Sequence, residues 1–259
     1  NSINGFNLSD TIDETITSMG SRKLKSWIAF PLIDKKEIKK RQEIVQSIMS
    51  DDEISRLLDI NLNNISDIER LMSKIATYKI SPRELVNLKS SLENVDLIKD
   101  SLLVYSGVLK NYGKSLPSSK SITREISKTL KDDSPVSILK GDFIKDGFSK
   151  ELDGLREIRS SGKEYLNQIL ERETKKTNIP SLKISFNNVF GYYIEVRNTH
   201  KDKVPEDWIR KQTLVNAERY ITQELKEYEE KIINADEKIK DLELKLFLKL
   251  LDKLQDSLL

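Results

Sequence analysis

The segment from Lys175 to Arg219 concentrates cationic side chains that could bind phosphate groups. It holds nine lysines and arginines against five acidic residues, an excess of four positive charges. From Tyr220 onward the balance reverses, with seven lysines against ten acidic residues. Because the net charge of the whole chain is only +2, a nucleic-acid site has to be local. This segment is therefore a candidate phosphate-binding surface. The alternative is an ordinary solvated surface, since acidic residues are interspersed.

Aromatic residues are interleaved with these charges. They are Phe186, Phe190, Tyr192, Tyr193 and Trp208. Bases can stack on exposed aromatic rings. We favour the simpler interpretation, in which Phe186, Phe190 and Tyr192 form the core of a small sheet. Tyr193 then points to the opposite face, where it could contact a sugar or a phosphate.

Residues that could support catalysis are sparse. His200 is the single histidine, and a chain without cysteine cannot form a usual zinc site with it. Nothing marks a serine as its nucleophilic partner, so His200 is predicted to be a loop residue near a phosphate. The glutamates between Glu224 and Glu230 are interpreted as a solvated helix face. The sequence has neither a G-x-x-x-x-G-K-[ST] phosphate loop nor a G-x-G-x-x-G turn, so no nucleotide site and no enzymatic activity are predicted.

The composition favours helices with wide solvated faces. Of the 259 residues, 37% are hydrophobic and 33% are charged. The absence of cysteine suggests a reducing compartment, and no apolar run approaches the roughly 18 residues of a membrane span. Because the sequence starts at Asn1 rather than Met, we expect it to be a piece of a longer protein.

Helix-start signals dominate the first half. The stretches Ser66–Glu69 and Ser81–Glu84 both have the spacing of a capping box, and Pro82 suits a first helical position. Apolar periodicity predicts further helices over 96–112, around Ile126 and over 150–176, with a short strand pair between Gly141 and Gly147.

The apolar period then changes to two. The pattern predicts a hairpin of Leu182–Asn187 and Phe190–Val196 with a turn at Asn187-Asn188, followed by a basic third strand. From about Asn216 to Leu259 the pattern predicts one unbroken helix with a heptad seam running from Ile221 to Leu246. The predicted fold is mainly α. It has a helical body and two long antiparallel helices that carry a small antiparallel sheet at their tip.

Several stretches resemble the MutS family of bacterial DNA mismatch repair proteins. The pattern T-x-x-x-M-G-x-R-x-L-x-x-W is met at Thr15, Met19, Gly20, Arg22, Leu24 and Trp27. Further matches follow in the family's order: Pro31-Leu32, Arg41-Gln42, Asp67–Arg70, Pro82–Leu85, Phe190–Ile194 and Gln212–Tyr220. One such motif would be weak, but this many over most of the chain is a specific signal.

The resemblance implies two domains with different roles. Residues 1–155 and 222–259 would form the helical core or lever domain, and residues 156–221 an inserted clamp that touches the backbone of double-stranded DNA without reading sequence. The family's mismatch-reading F-x-E motif and ATPase phosphate loop are both absent from this sequence. ATP and Mg would therefore bind elsewhere in the full-length protein, which acts with a second MutS subunit. The resemblance also implies a cytoplasmic, nucleoid-associated bacterial protein with no membrane contact.

Eight residues are predicted to contact phosphate, the cations as charges and the asparagines as neutral donors. They are Lys183, Asn187, Asn188, Arg197, Lys201, Lys203, Arg210 and Lys211. The alternative hypothesis is a coiled-coil module that binds protein through the Ile221–Leu246 seam. A hydrolase using a glutamate pair has no motif to support it.

Overall fold

The computed structural model describes residues 8–187, 189 and 191–258, in which helices predominate and one small antiparallel sheet forms. This confirms the predicted mainly α fold. The α-helices are α1 (Leu8–Ile12), α2 (Ser18–Ala29), α3 (Lys35–Met49), α4 (Asp52–Asn63), α5 (Ile68–Ala76), α6 (Pro82–Val104), α7 (Gly107–Ser115), α8 (Lys120–Thr129), α9 (Lys150–Thr177) and α10 (Gln223–Leu258). The strands are β1 (Lys183–Asn187), β2 (Gly191–Arg197), β3 (Ile209–Thr213) and β4 (Ala217–Ile221).

The chain divides into two compact units. The first comprises the residues up to Lys145 and from Leu246 onward, and the second comprises Asp146–Lys245. Helix α10 contributes residues to both units. The boundaries expected for a lever and a clamp, at 155/156 and 221/222, stay a prediction.

The first unit is a helical body whose start signals are partly as predicted. The capping box at Ser81 is present, with the Ser81 hydroxyl accepting the Glu84 N–H and the Glu84 carboxylate accepting the Ser81 N–H. The predicted capping box at Ser66 is wrong. Helix α5 is capped by Asp67, whose carboxylate accepts the Arg70 N–H at 3.2 Å, while the Ser66 N–H donates to Ser91 Oγ. The Asp67 carboxylate, one residue after Ser66, thus satisfies a backbone N–H group at the start of the helix.

Two further predictions in this unit are wrong. The helix expected over 96–112 is divided, because α6 runs unbroken from Pro82 to Val104 and α7 starts at Gly107, which has a φ of +63°. Glycine adopts this left-handed conformation without steric cost, so the chain turns there. In place of a strand pair near Gly141, a single antiparallel bridge joins Leu130 to Ile144.

In the second unit, α9 and α10 lie antiparallel, as a series of contacts from one end to the other shows. Arg172 pairs with Glu224, Tyr165 stacks on Tyr228, Arg159 pairs with Asp236 and Arg156 pairs with Glu243. In the middle of this series, Gly162 of α9 faces Ile232 of α10 so closely that an added Cβ would lie 2.6 Å from Cγ1 of Ile232. This confirms the predicted pairing of two long helices. Helix α9 ends at Thr177, where Asn178 adopts the left-handed conformation that commonly caps helices.

The predicted heptad seam is only partly correct. Leu225, Ile232, Ala235 and Ile239 are buried, but the next fully buried positions are Glu243 and Phe247 rather than Leu242 and Leu246. A straight helix with 3.6 residues per turn drifts away from a 3.5-residue repeat, which moves the buried stripe by one position. Because the buried part of the seam packs inside this chain, the hypothesis of a coiled-coil module has no exposed seam to support it.

The sheet has the order β1-β2-β4-β3, and all neighbours are antiparallel. The first two strands are the predicted hairpin. The prediction of three strands and of a helix from Asn216 is wrong, because Ala217–Ile221 pairs between β2 and β3 and α10 begins at Gln223. One side of the sheet packs on the helices through Ile194, Val196, Trp208 and Tyr220, which cluster with Leu166, Ile169, Leu225 and Ile232.

Candidate nucleic-acid interface

The side of the sheet that faces away from this cluster is called the outer face. Since directly paired residues of antiparallel strands project to the same side, the strand register defines its members. A row of polar residues crosses all four strands on this face, in the order Lys183, Glu195, Arg219 and Gln212. Ser185 and Tyr193 form the next pair on the same side, and Arg197 lies two residues beyond Glu195. The outer face is therefore charged, and cations are its most numerous charges.

Arg219 is held at the centre of the outer face by three neighbours. Its Nε donates to Glu195 Oε2 at 3.2 Å, and its Nη1 donates to Gln212 Oε1 at 2.8 Å. The guanidinium carbon lies 4.4 Å from the centre of the Tyr193 ring, a cation–π arrangement. Within the described part of the chain, no hydrogen bond involves Nη2 of Arg219. The group is oriented, but its charge is already partly neutralised.

Arg210, on the other side of the sheet, has one acidic partner although its side chain is mostly exposed. Its Nη1 lies 3.3 Å from Glu218 Oε1, and the Tyr220 hydroxyl donates to the other oxygen of the same carboxylate. That bond from Tyr220, with Arg210 nearby, holds the pKa of Glu218 below its usual range, so the carboxylate stays ionised. Burial, with the bond to Glu218, raises the pKa of Tyr220 to about 12. Arg210 therefore forms part of a structural network.

Four of the predicted phosphate-binding residues form no close ion pair within the described part of the chain, although Lys201 is near enough to Glu218 to help lower the pKa of that carboxylate. Lys183, Arg197, Lys201 and Lys211 are exposed, and none of them has a carboxylate within 4.0 Å in the part of the chain that the structure describes. Lys203 is also exposed, and its Nζ lies 3.4 Å from the carbonyl oxygen of Asn178.

The structure gathers some of these residues and separates others. Arg197 ends β2 and leads into a 3₁₀ turn, Asn198–Lys203, which contains Lys201 and Lys203. This turn is tied to the β3–β4 connection, because the Asn198 N–H donates to the carbonyl of Asn216 and its side-chain amide to that of Val215. Lys183 begins the strand beside β2, so Lys183, Arg197, Lys201 and Lys203 lie toward one end of the sheet.

Asn187 lies toward the other end of the sheet. Asn187 is at the β1–β2 turn, where its side-chain oxygen accepts the Val189 N–H at 2.9 Å. Asparagine side chains commonly stabilise turns by such bonds to the backbone. Asn188 and Phe190 lie outside the described residues.

The aromatic residues support the core interpretation only in part. Trp208 is buried in the cluster behind the sheet, 6.0 Å between ring centres from Tyr220, and Tyr192 packs against that cluster. Phe186 pairs with Tyr192 but is about half exposed. Tyr193 does point to the outer face, yet only 6% of it is exposed because Arg219 covers its ring. The predicted contact between Tyr193 and a sugar or phosphate is therefore replaced by a positioning contact to Arg219.

Arg219 is the residue that sequence reasoning missed. It is one of the nine cations of the basic segment, but the helix predicted from about Asn216 includes it, and it is not among the eight predicted phosphate contacts. The alternation in Ala217–Ile221, with Ala217, Arg219 and Ile221 on one side, was the available signal.

The described residues contain no group of three or more His, Cys, Asp or Glu side chains placed to hold a metal ion. Among their helices, none combines the length and the apolar character that crossing a bilayer requires.

The fold and the site define a class of mainly helical protein that presents a small antiparallel sheet bearing exposed cations. A family model described as MutS domain III matches residues 1–258, and the chain belongs to this family. Proteins named DNA mismatch repair protein MutS are similar to it: 52% identity over 94% of this chain in Phocaeicola vulgatus, 55% over 94% in Flavobacterium johnsoniae and 46% over 97% in Porphyromonas gingivalis. The chain spans only about 28% of the length of these relatives.

Proposed function

We propose that this chain acts in DNA mismatch repair by contacting the phosphate backbone of double-stranded DNA, without reading its sequence. The observation that carries the proposal is the group of exposed cations at one end of the sheet, Lys183, Arg197 and Lys201, which have no carboxylate partner in the described structure. Charges on flexible side chains neutralise phosphates but do not distinguish base edges. Lys203, Lys211, Asn187 and Asn188 are proposed as supporting contacts. Arg210 is proposed to act mainly through its pair with Glu218.

The helical unit is proposed to couple this contact to an ATPase outside the chain. Family membership supports this role, as does α10, which contributes residues to both compact units. In this proposal ATP and Mg bind elsewhere in a longer protein, a second MutS subunit completes the enclosure of DNA, and the chain itself catalyses no reaction. A cytoplasmic, nucleoid-associated location follows from the same proposal.

Titration of a labelled duplex at several salt concentrations tests the DNA contact. We expect weak binding, with Kd in the range of about 10⁻⁴–10⁻⁶ M, and affinity that falls as salt rises. Replacing Lys183, Arg197 and Lys201 together by Gln should reduce the slope of log K against log salt by about 0.9 for each phosphate that is no longer neutralised, roughly 2.7 in all.

A matched control separates local charge from net charge. Lys35, Lys36 and Lys39 are exposed lysines on α3, and their replacement by Gln removes the same number of charges from the first unit. The control variant should keep most of the slope. Salt-independent binding, or an equal reduction of the slope in the two variants, would contradict the proposal.

A further inference from the structure

Arg219 lies where it could bind a phosphate, but its positive charge is already partly neutralised by a neighbouring carboxylate. It lies at the centre of the outer face, between Glu195 and Gln212 in the cross-strand row. Its guanidinium is stacked on Tyr193 and bonded on two sides, so it is held in one orientation. An oriented planar fork is the geometry that binds a phosphate with two parallel hydrogen bonds.

Glu195 already engages one side of this guanidinium. Its carboxylate accepts from Nε of Arg219 at 3.2 Å, and among the described residues it is the one acid that the strand register places on this part of the outer face. Lys183 lies directly across from Glu195, yet no ion pair within 4.0 Å joins them in the described structure. Glu195 therefore neutralises Arg219 and leaves Lys183 available.

The Glu195–Arg219 pair is accessible enough to be exchanged. The side chain of Glu195 is 33% exposed and that of Arg219 is 21% exposed. Partly solvated ion pairs of this kind are weak, and a phosphate that replaces the carboxylate has first to displace it. An anionic side chain beside the backbone of DNA also repels the phosphates themselves.

We infer that Glu195 is an internal competitor of phosphate, which restrains Arg219 and keeps the affinity of the outer face for DNA low. This inference rests on the proposed function, because it concerns the same surface. Two neighbouring side chains then have opposite effects on DNA binding. Lys183 promotes binding, whereas Glu195 limits it because its carboxylate pairs with Arg219, which is already oriented for a phosphate.

The test is a salt titration of duplex binding with the Glu195→Gln variant of the full chain. One additional phosphate contact should steepen the slope of log K against log salt by about 0.9, which corresponds to roughly eightfold tighter binding at 0.1 M salt. Glutamine keeps the shape of glutamate and can still accept a hydrogen bond from Arg219, so the sheet should fold. Thermal unfolding followed by circular dichroism verifies this.

Two further variants show whether the tighter binding depends on Arg219. Glu237→Gln removes one charge from an exposed residue of α10 that has no ion pair in the described structure, and it should change the slope little. The double variant Glu195→Gln, Arg219→Gln has the original net charge and should bind no more tightly than the original chain. A Glu195→Gln variant that matches Glu237→Gln, or tighter binding that persists without Arg219, would overturn the inference.

The outcomes also separate this inference from the proposed function. If the original chain binds duplex in a salt-dependent manner through Lys183, Arg197 and Lys201 but Glu195→Gln has no effect, only the competitor role fails. If neither the original chain nor Glu195→Gln binds duplex, both fail.

Discussion

Two glycines of α9 should respond in opposite ways to the same substitution. An added Cβ at Gly154 would meet no atom within 4 Å, whereas at Gly162 it would lie 2.6 Å from Cγ1 and 3.1 Å from Cδ1 of Ile232 on α10. Alanine stabilises a helix by about 1 kcal/mol relative to glycine. Gly154→Ala should therefore raise the free energy of unfolding by about this amount.

Gly162→Ala has the same advantage in helix propensity but overpacks the contact between α9 and α10. Overpacking of a core typically costs about 1–3 kcal/mol. The net effect should be a destabilisation of about 0–2 kcal/mol, so the two variants should differ by about 1–3 kcal/mol. In an Ile232→Ala background the obstructing atoms are removed, and Gly162→Ala should then become stabilising.

Urea unfolding measures these differences. In a Trp27→Phe background, the fluorescence of Trp208, which is buried in the same unit as the two helices, reports on the unfolding of that unit. Gly154→Ala serves as the control for helix propensity. If Gly162→Ala stabilises the protein as much as Gly154→Ala does, the close approach of the two helices at Ile232 is wrong.

Replacing Arg156 by Met should destabilise the second unit by about 3–5 kcal/mol, because the fully buried Glu243 loses a partner at 2.7 Å; adding Glu243→Leu should restore most of the stability in urea unfolding. Ser81→Ala removes the helix cap of α6 and should cost about 0.5–2 kcal/mol in the same assay, whereas an effect below this range would mean that the cap does not contribute. The raised pKa of Tyr220, from 10.0 to about 12, stabilises the folded state fully below pH 10, and this contribution is lost as the pH rises toward 12. The pKa values of Tyr78, Tyr105, Tyr165 and Tyr192 are also raised, so ultraviolet titration should show several late-ionising tyrosines, and Tyr220→Phe should remove one of them.

Local sequence signals predicted the elements whose stability is local. The long helix α9, its end at Asn178 and the β1–β2 hairpin all follow from apolar periodicity and turn residues that lie within a few positions of one another. The capping box at Ser81 could be recognised because all its partners lie within four residues.

Elements that depend on distant partners were missed. Ala217–Ile221 is compatible with a helix start, and its strand conformation comes from pairing with Ile194–Arg197 about twenty residues earlier. The place of Arg219 follows from that pairing, since only the register brings it beside Glu195 and Tyr193. Among the predicted phosphate-binding residues, composition could not distinguish Arg210, which is engaged by Glu218, from Lys183, which has no such partner in the described structure.

The strand order has a consequence for the solubility of the protein. With β1 and β3 on the outside, two rows of backbone N–H and C=O groups can pair with a strand from another molecule. Lys183 stands at the start of one edge, and the other edge carries Arg210 and Lys211 at a break in its ladder between Arg210 and Gln212. Charged side chains and ladder irregularities are the features that discourage edge-to-edge aggregation. Lys183 and Lys211, which are proposed to contact phosphate, are thus also placed to discourage one copy of the sheet from adding to another.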